Sequence, residues 1–330
     1  MREITSPYFG KSVLVTGGRG FIGAHLVKEL IELGAQVRIT RQAATKKSYD
    51  DIEMGSCVEV VTANLLSLTE CLGAVDGVDI IFHLAADARG AQESTNFPST
   101  IYFNNLSMAL NMLEAAKRER IQWFLLASSN NVYSQTAKLP FNESDGFLAH
   151  PNYPYASYGW AKRASELGAK YLFEETGINV SITRISNTYG PGLSLSRENM
   201  GVVASLIKKV YEATESINVW GDGAQIRSFI YVKDVVNALL LIAQNGRSAE
   251  PINVSSGEKI TVKELAFLIA RLFEKKVSIN FEPTRQNGIP AKIEDNEKLR
   301  KTYGWRQIYT LEQGLLRTIE WYKTKIGSIS

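Results

Sequence analysis

Short runs of apolar, β-branched residues alternate along this chain with longer stretches in which apolar positions recur every three or four residues. Ser12–Thr16 (SVLVT) reads as a buried strand, and the stretch 21–33 that follows it has helical spacing. Positions 37–40, 58–63, 78–84 and 122–128 read as the next four strands, and Asn179–Ile185 as a sixth. Long helices are expected over 101–118 and 158–176. Strand–helix alternation with short connections predicts an α/β fold, a doubly wound parallel sheet of the Rossmann kind.

After Ile185 the pattern changes. Gly190, Pro191 and Gly192 mark a loop, a helix is expected over 202–214, and short strands and helices continue to the end. The segments 226–231 and Pro251–Val254 look like strands that return to the first unit. The expectation is therefore a larger unit of 1–186 plus about 225–256, with a smaller interleaved α/β unit of 187–224 plus 257–330. The helix at 101–116 is apolar on more than one face. Either it is buried against the sheet, or it also packs on a partner subunit.

Composition narrows the class. The chain has 330 residues, 45% hydrophobic and 22% charged, enough to bury a sizeable core. A net charge of +3 with no basic block gives no reason to expect a nucleic-acid partner. No apolar run approaches the ~20 residues of a membrane span, and the polar N-terminus fits no signal peptide. The two cysteines, Cys57 and Cys71, read as free thiols of a reducing cytoplasm. His25, His83 and His150 have no ligand spacing with a cysteine, so no metal site is expected, and His83 reads as a structural strand-end residue.

The first strand runs straight into Thr16-Gly17-Gly18-Arg19-Gly20-Phe21-Ile22-Gly23 and then a helix. A tight turn that approaches a pyrophosphate needs residues without Cβ, and the helix N-terminus supplies free N–H groups and a positive dipole end. Strand before and helix after are the context this motif requires. Where NAD sites usually carry an acid at the end of the second strand, this chain has Thr40-Arg41. An arginine there attracts a 2′-phosphate, so Arg19 and Arg41 favour NADP over NAD. The alternative is a surface arginine that stacks on the adenine of either cofactor.

Tyr158 and Lys162 stand four apart at the start of a helix, on one face. A free phenol titrates near 10, and a neighbouring ammonium, together with the positive charge of a bound nicotinamide, moves it toward phenolate at working pH. The fifth strand ends at Ala127-Ser128-Ser129, where a hydroxyl can share the same substrate oxygen.

With these residues in hand, the chain resembles the extended short-chain dehydrogenase/reductase family, specifically its nucleotide-sugar epimerases and dehydratases, over nearly its whole length. The matching pieces are the glycine turn, His83-Leu84-Ala85-Ala86, Asn105, Asn111 to Ala116, Ser129, Val132-Tyr133, Tyr158 with Lys162, Arg184 to Pro191, and Gly221-Asp222-Gly223 with Arg227. The resemblance implies that Ser129, Tyr158 and Lys162 are catalytic. It implies NADP or NAD held by Gly17, Arg19, Gly20, Phe21, Ile22, Gly23, Arg41, Asn64, Leu65, Leu84, Ala85, Ala86 and Asn105, together with Tyr158 and Lys162. It implies a nucleoside-diphosphate sugar held by Asp87, Asn130, Asn131, Asn187, Asn199, Trp220, Arg227 and Arg285, while the helix at 101–116 suggests a homodimer. Trp220 either stacks on the base or belongs to the core.

Several stretches look most like the GDP-mannose 3,5-epimerase branch of that family. Its two extra acid/base groups, however, correspond here to Asn131 and Asn199, and an amide exchanges no proton at useful pH. The 4,6-dehydratases need acids after the serine, where Asn130 and Asn131 stand. What survives is hydride transfer at C4, by an epimerase or, in the alternative, by a reductase of 4-keto sugars with exchangeable NADPH. A non-catalytic cofactor sensor is opposed by the intact Ser129, Tyr158 and Lys162.

Overall fold

The computed structural model describes residues 6–42, 57–193, 201–246, 248–284 and 289–327. Six strands and their helices come first: β1 (Ser12–Thr16), α1 (Phe21–Glu32), β2 (Gln36–Arg41), β3 (Val58–Thr62), α2 (Leu68–Val75), β4 (Ile80–His83), α3 (Ala91–Asn96), α4 (Pro98–Arg118), β5 (Trp123–Ser129), α5 (Ala156–Thr176) and β6 (Asn179–Ile185). There follow β7 (Asn187–Tyr189), α6 (Val202–Glu212), β8 (Ser216–Trp220), β9 (Ile226–Arg227), β10 (Phe229–Tyr231), α7 (Val232–Asn245) and β11 (Pro251–Val254). The last are β12 (Ile260–Thr261), α8 (Val262–Leu272), β13 (Ser278–Glu282), β14 (Ala291–Lys292), α9 (Glu297–Tyr303) and α10 (Leu311–Gly327).

The first part is a seven-stranded parallel sheet in the order β11-β6-β5-β4-β1-β2-β3. Its central strands are apolar at nearly every position because both faces are covered. On one face Leu26, Val27 and Leu30 of α1 and Val235, Leu239 and Ile242 of α7 pack on the sheet. On the other, Cys71 and Ala74 of α2, Met112 and Leu113 of α4, and Ala169 and Leu172 of α5 do the same. The order reverses between β1 and β4, so their C-terminal ends frame the crevice in which doubly wound sheets bind ligands. The remaining strands form three small sheets, β10-β7, β12-β9-β14 and β13-β8. Leu206 and Val210 of α6, Leu265 and Ile269 of α8, and Leu315 and Ile319 of α10 build a third core beside them.

Two expectations change. The segment 226–231 does not return to the large sheet. It breaks at Ser228, whose buried hydroxyl lies 3.0 and 3.1 Å from those of Ser255 and Ser256. Ile226–Arg227 pairs with β12 and β14, and Phe229–Tyr231 with β7. Only Pro251–Val254 joins the sheet, along β6. The helix expected at 101–116 starts at Pro98, buries Ile101, Ala109, Met112 and Leu113, and leaves Phe103 and Leu110 exposed. Among the described residues, no helix is long and apolar enough to cross a membrane.

Candidate active site

β1 delivers the chain into the glycine turn at the crevice. Gly17 has φ +70°, and a Cβ there would sit 2.9 Å from the Ala85 nitrogen. Gly23 is tighter still: its Cβ would meet Gly17 O at 2.1 Å, so the first turn of α1 packs on the loop itself. Gly18 closes against Ile39 of β2 at 2.5 Å, a demand the spacing of Gly17, Gly20 and Gly23 did not reveal. Gly20, by contrast, would meet only Gly17 O at 3.1 Å. It caps α1 with no side-chain hydrogen bond and no acid in the first turn. The turn thus leaves room at Gly20, against the uncapped first turn of α1, which fits a dinucleotide pyrophosphate.

The surrounding candidates are held by β-strand ends. Thr16 Oγ1 bonds to His83 Nδ1 at 2.9 Å and accepts from Ala85 N at 3.2 Å, which fixes the Leu84-Ala85-Ala86 segment beside the turn. Burial pushes His83 down to about 3, so it stays neutral, with Lys162 adding to the shift. Phe21 and Ile22 reach from α1 to the third core. Arg41 is exposed at the end of β2, with Nη2 3.4 Å from Thr62 Oγ1, and Arg19 is half-buried in the turn. Asn64 Oδ1 accepts from Leu66 N, and the Leu65 side chain is in the core. The Asn105 amide is fully engaged: Oδ1 accepts from Asp87 N while Nδ2 donates to Asp87 O and Ile101 O. It acts on the crevice by fixing the loop after β4.

Ser129 ends β5, half-buried, its Oγ accepting from Asn131 N at 3.2 Å. Ser128 points the other way and donates to Glu166 at 2.5 Å. Tyr158 and Lys162 lie on one face of α5, the ammonium 5.4 Å from the phenol ring centre. Lys162 is buried and donates to Ala127 O at 2.7 Å. The protein's own atoms do not bring the phenol toward neutrality: burial pushes Tyr158 up, and it pushes Lys162 down to about 8 against the opposing carboxylate of Glu166. Desolvation disfavours the charged form of both groups, so further positive charge in the crevice is needed to favour phenolate.

Glu166 itself is locked. It accepts two bonds from Arg184, at 2.9 and 2.6 Å, in a pair that is 2% and 1% exposed. Nothing in the sequence pattern singled it out.

On the substrate side the candidates separate. Asn130 is buried and donates to Glu294 at 2.8 Å, as Ser186 does at 2.6 Å. Asn131 Oδ1 accepts from Lys292 Nζ at 2.6 Å. Arg227 is half-buried, with burial lowering its pKa and Glu294 and Tyr155 opposing that. Asn187 donates to Ser228 O. The Asp87 carboxylate is gripped by Arg89 at 2.7 and 2.8 Å and by Asn104. Trp220 is 61% exposed, so the core alternative for it is corrected: it ends edge strand β8, one face open to water. Asn199 and Arg285 lie outside the described residues.

A parallel doubly wound sheet, a glycine turn at its crevice and a helix that carries Tyr158 and Lys162 on one face fit a nicotinamide-dependent enzyme of the Rossmann class. Residues 13–255 match the NAD dependent epimerase/dehydratase family, and the chain belongs to it, within the extended short-chain dehydrogenase/reductase enzymes. It is 30% identical to the GDP-mannose 3,5-epimerase of Arabidopsis thaliana over 98% of this chain and 85% of that protein. It is 29% identical to a dTDP-4-dehydro-6-deoxy-D-allose reductase of Streptomyces over 95% of this chain and 97% of that one. Among solved structures, the UDP-glucose 4-epimerase of Thermotoga maritima, determined with UDP-glucose, superposes with a TM-score of 0.86. It shares 28% identity over 96% of this chain and 99% of that one.

Proposed function

We propose that the protein is a nucleotide-sugar epimerase that inverts C4 of the sugar by reversible hydride transfer. One observation supports this reading: Tyr158 and Lys162 share a face of α5, and Lys162 is tied to Ala127 O, two residues before Ser129 on β5, while Asn130 and Asn131 stand where a dehydratase needs acids. When bound, the nicotinamide dinucleotide supplies the acceptor and donor of the C4 hydride. Ser129 Oγ holds the C4 oxygen, and Tyr158, as phenolate, takes its proton and gives it back. The Lys162 ammonium stabilises the phenolate from one helical turn away. Arg227 and Arg285 hold the diphosphate, and the exposed face of Trp220 stacks on the base. The substrate lies between a dinucleotide unit of 1–186 plus about 225–256 and a substrate unit of 187–224 plus 257–330. The enzyme works in the cytoplasm as a dimer through α4 and α5.

A second reading is a 4-keto-sugar reductase. Arg41 at the end of β2, in place of an acid, favours a 2′-phosphate and hence exchangeable NADPH, and the likeness to the Streptomyces reductase supports it.

The deciding experiment extracts and identifies the cofactor of the purified protein, then offers the enzyme a panel of nucleotide sugars. Epimerised product with no net change in nicotinamide absorbance is expected; stoichiometric NADPH loss on a 4-keto sugar makes it the reductase. Tyr158→Phe is expected to cut turnover on the order of 10²–10⁴-fold with cofactor binding kept. Wild-type turnover in that variant would refute the assignment.

A further inference from the structure

The two amides that replace the family branch's extra acid/base groups are Asn131 and Asn199. Yet Asn131 is not alone. Lys292, on β14, reaches it from a different part of the chain and donates from Nζ to Asn131 Oδ1 at 2.6 Å. Asn131 in turn donates its backbone N–H to Ser129 Oγ. A lysine amine is therefore linked through Asn131 to the hydroxyl that would hold the C4 oxygen.

We propose that Lys292 is a catalytic acid/base that exchanges a proton at a sugar carbon next to C4, C3 or C5, of a nucleoside-diphosphate 4-keto sugar. This deepens the C4 reading above and rests on its placement of the substrate against Ser129 and Tyr158.

The physical case has three parts. Lys292 is 7% exposed, and among the described residues its ammonium has one hydrogen-bond partner, a neutral amide oxygen. The charged groups facing it are Glu294, two residues on, and Arg227 on the paired strand β9, with Tyr155 beyond Arg227. Glu294 is spent on Asn130 and Ser186. Burial and Arg227 therefore outweigh Glu294 and bring the amine down to about 8, where it both holds and releases a proton. A hydrogen on the carbon beside a ketone is acidic. It passes as a proton to the Nζ lone pair, the C–H electrons form the enolate, and the O4 charge is held by the Ser129 and Tyr158 hydroxyls. Return of the proton from Nζ to the same face restores the ketone, with no net oxidation.

The test incubates the full chain with a nucleoside-diphosphate 4-keto sugar in D₂O and follows deuterium at C3 and C5 by NMR. Wild type is expected to exchange at a rate that rises through about pH 8. Lys292→Met and Lys292→Arg are each expected to lose about 100-fold in exchange. Cofactor titration reports that each variant is folded, and Lys292→Arg decides if the methionine variant is not. Exchange by Lys292→Arg at the wild-type rate would mean that only the positive charge matters, and would overturn the proposal. So would a wild type that exchanges no faster than buffer, even if it transfers hydride, which leaves the C4 reading standing. Exchange with no hydride transfer on any sugar does the reverse.

Discussion

Lys162 is a cation held where a cation is costly, 4% exposed and bound to one backbone carbonyl. Its ammonium helps Tyr158 only while it keeps its proton, and burial has lowered that proton's pKa to about 8. The direction follows: the protonated form is lost as pH rises through about 8, so kcat/KM should fall on that alkaline limb. Lys162→Arg, whose charge does not titrate there, should be slower but lack the limb. A wild-type profile flat to pH 10 would remove the role. At this scale the pair Tyr158 and Lys162 was legible from its spacing of four, and Ser129 from its strand end. Lys292, Glu294 and Glu166 were not, because each meets its partner across a long stretch of chain: 161 residues separate Lys292 from Asn131. No local pattern encodes such a meeting.

The glycine turn and helix α2 carry two different kinds of glycine. Gly23 is a packing requirement, since any Cβ would lie 2.1 Å from Gly17 O. Gly23→Ala should displace the turn, weaken dinucleotide binding at least about tenfold and cost about 1–3 kcal/mol of stability. Gly73, inside α2, has nothing within 4 Å of a Cβ position, and Gly73→Ala should stabilise by about 0.5–1 kcal/mol. Fluorescence titration of the cofactor and urea unfolding check both, and equal effects from the two substitutions would show that the turn is not built as described. The helix α2 escaped the sequence reading although Ser67 and Glu70 form a start signal, with Ser67 Oγ accepting from Glu70 N. The strand expected at 226–231 failed for the opposite reason. Its apolar run was real, but the buried hydroxyl contacts of Ser228 with Ser255 and Ser256 split it between two small sheets.

For the whole molecule, the outer faces of α4 and α5 matter most. Phe103, Leu110, Trp160, Leu167 and Tyr171 are 39–63% exposed along two neighbouring helices. Leaving that much contiguous apolar surface wet is unfavourable, and a second copy would cover it. Light scattering should therefore report about twice the 36.6 kDa chain mass, and Leu167→Glu should shift the population toward monomer. A wild type that stays monomeric at working concentration would discard the dimer.

The sequence alone determined the doubly wound sheet, the phosphate turn and the Tyr–Lys helix, because each depends on residues within a few positions of one another and on a period of two or 3.6. Tertiary structure alone decided which amides in the cleft are already engaged, that Asp87 is held by Arg89, and that a lysine from β14 stands beside Asn131. It also decided the direction in which Tyr158 and Lys162 titrate. Burial and the meeting of distant side chains set those outcomes, and both exist only once the chain has folded.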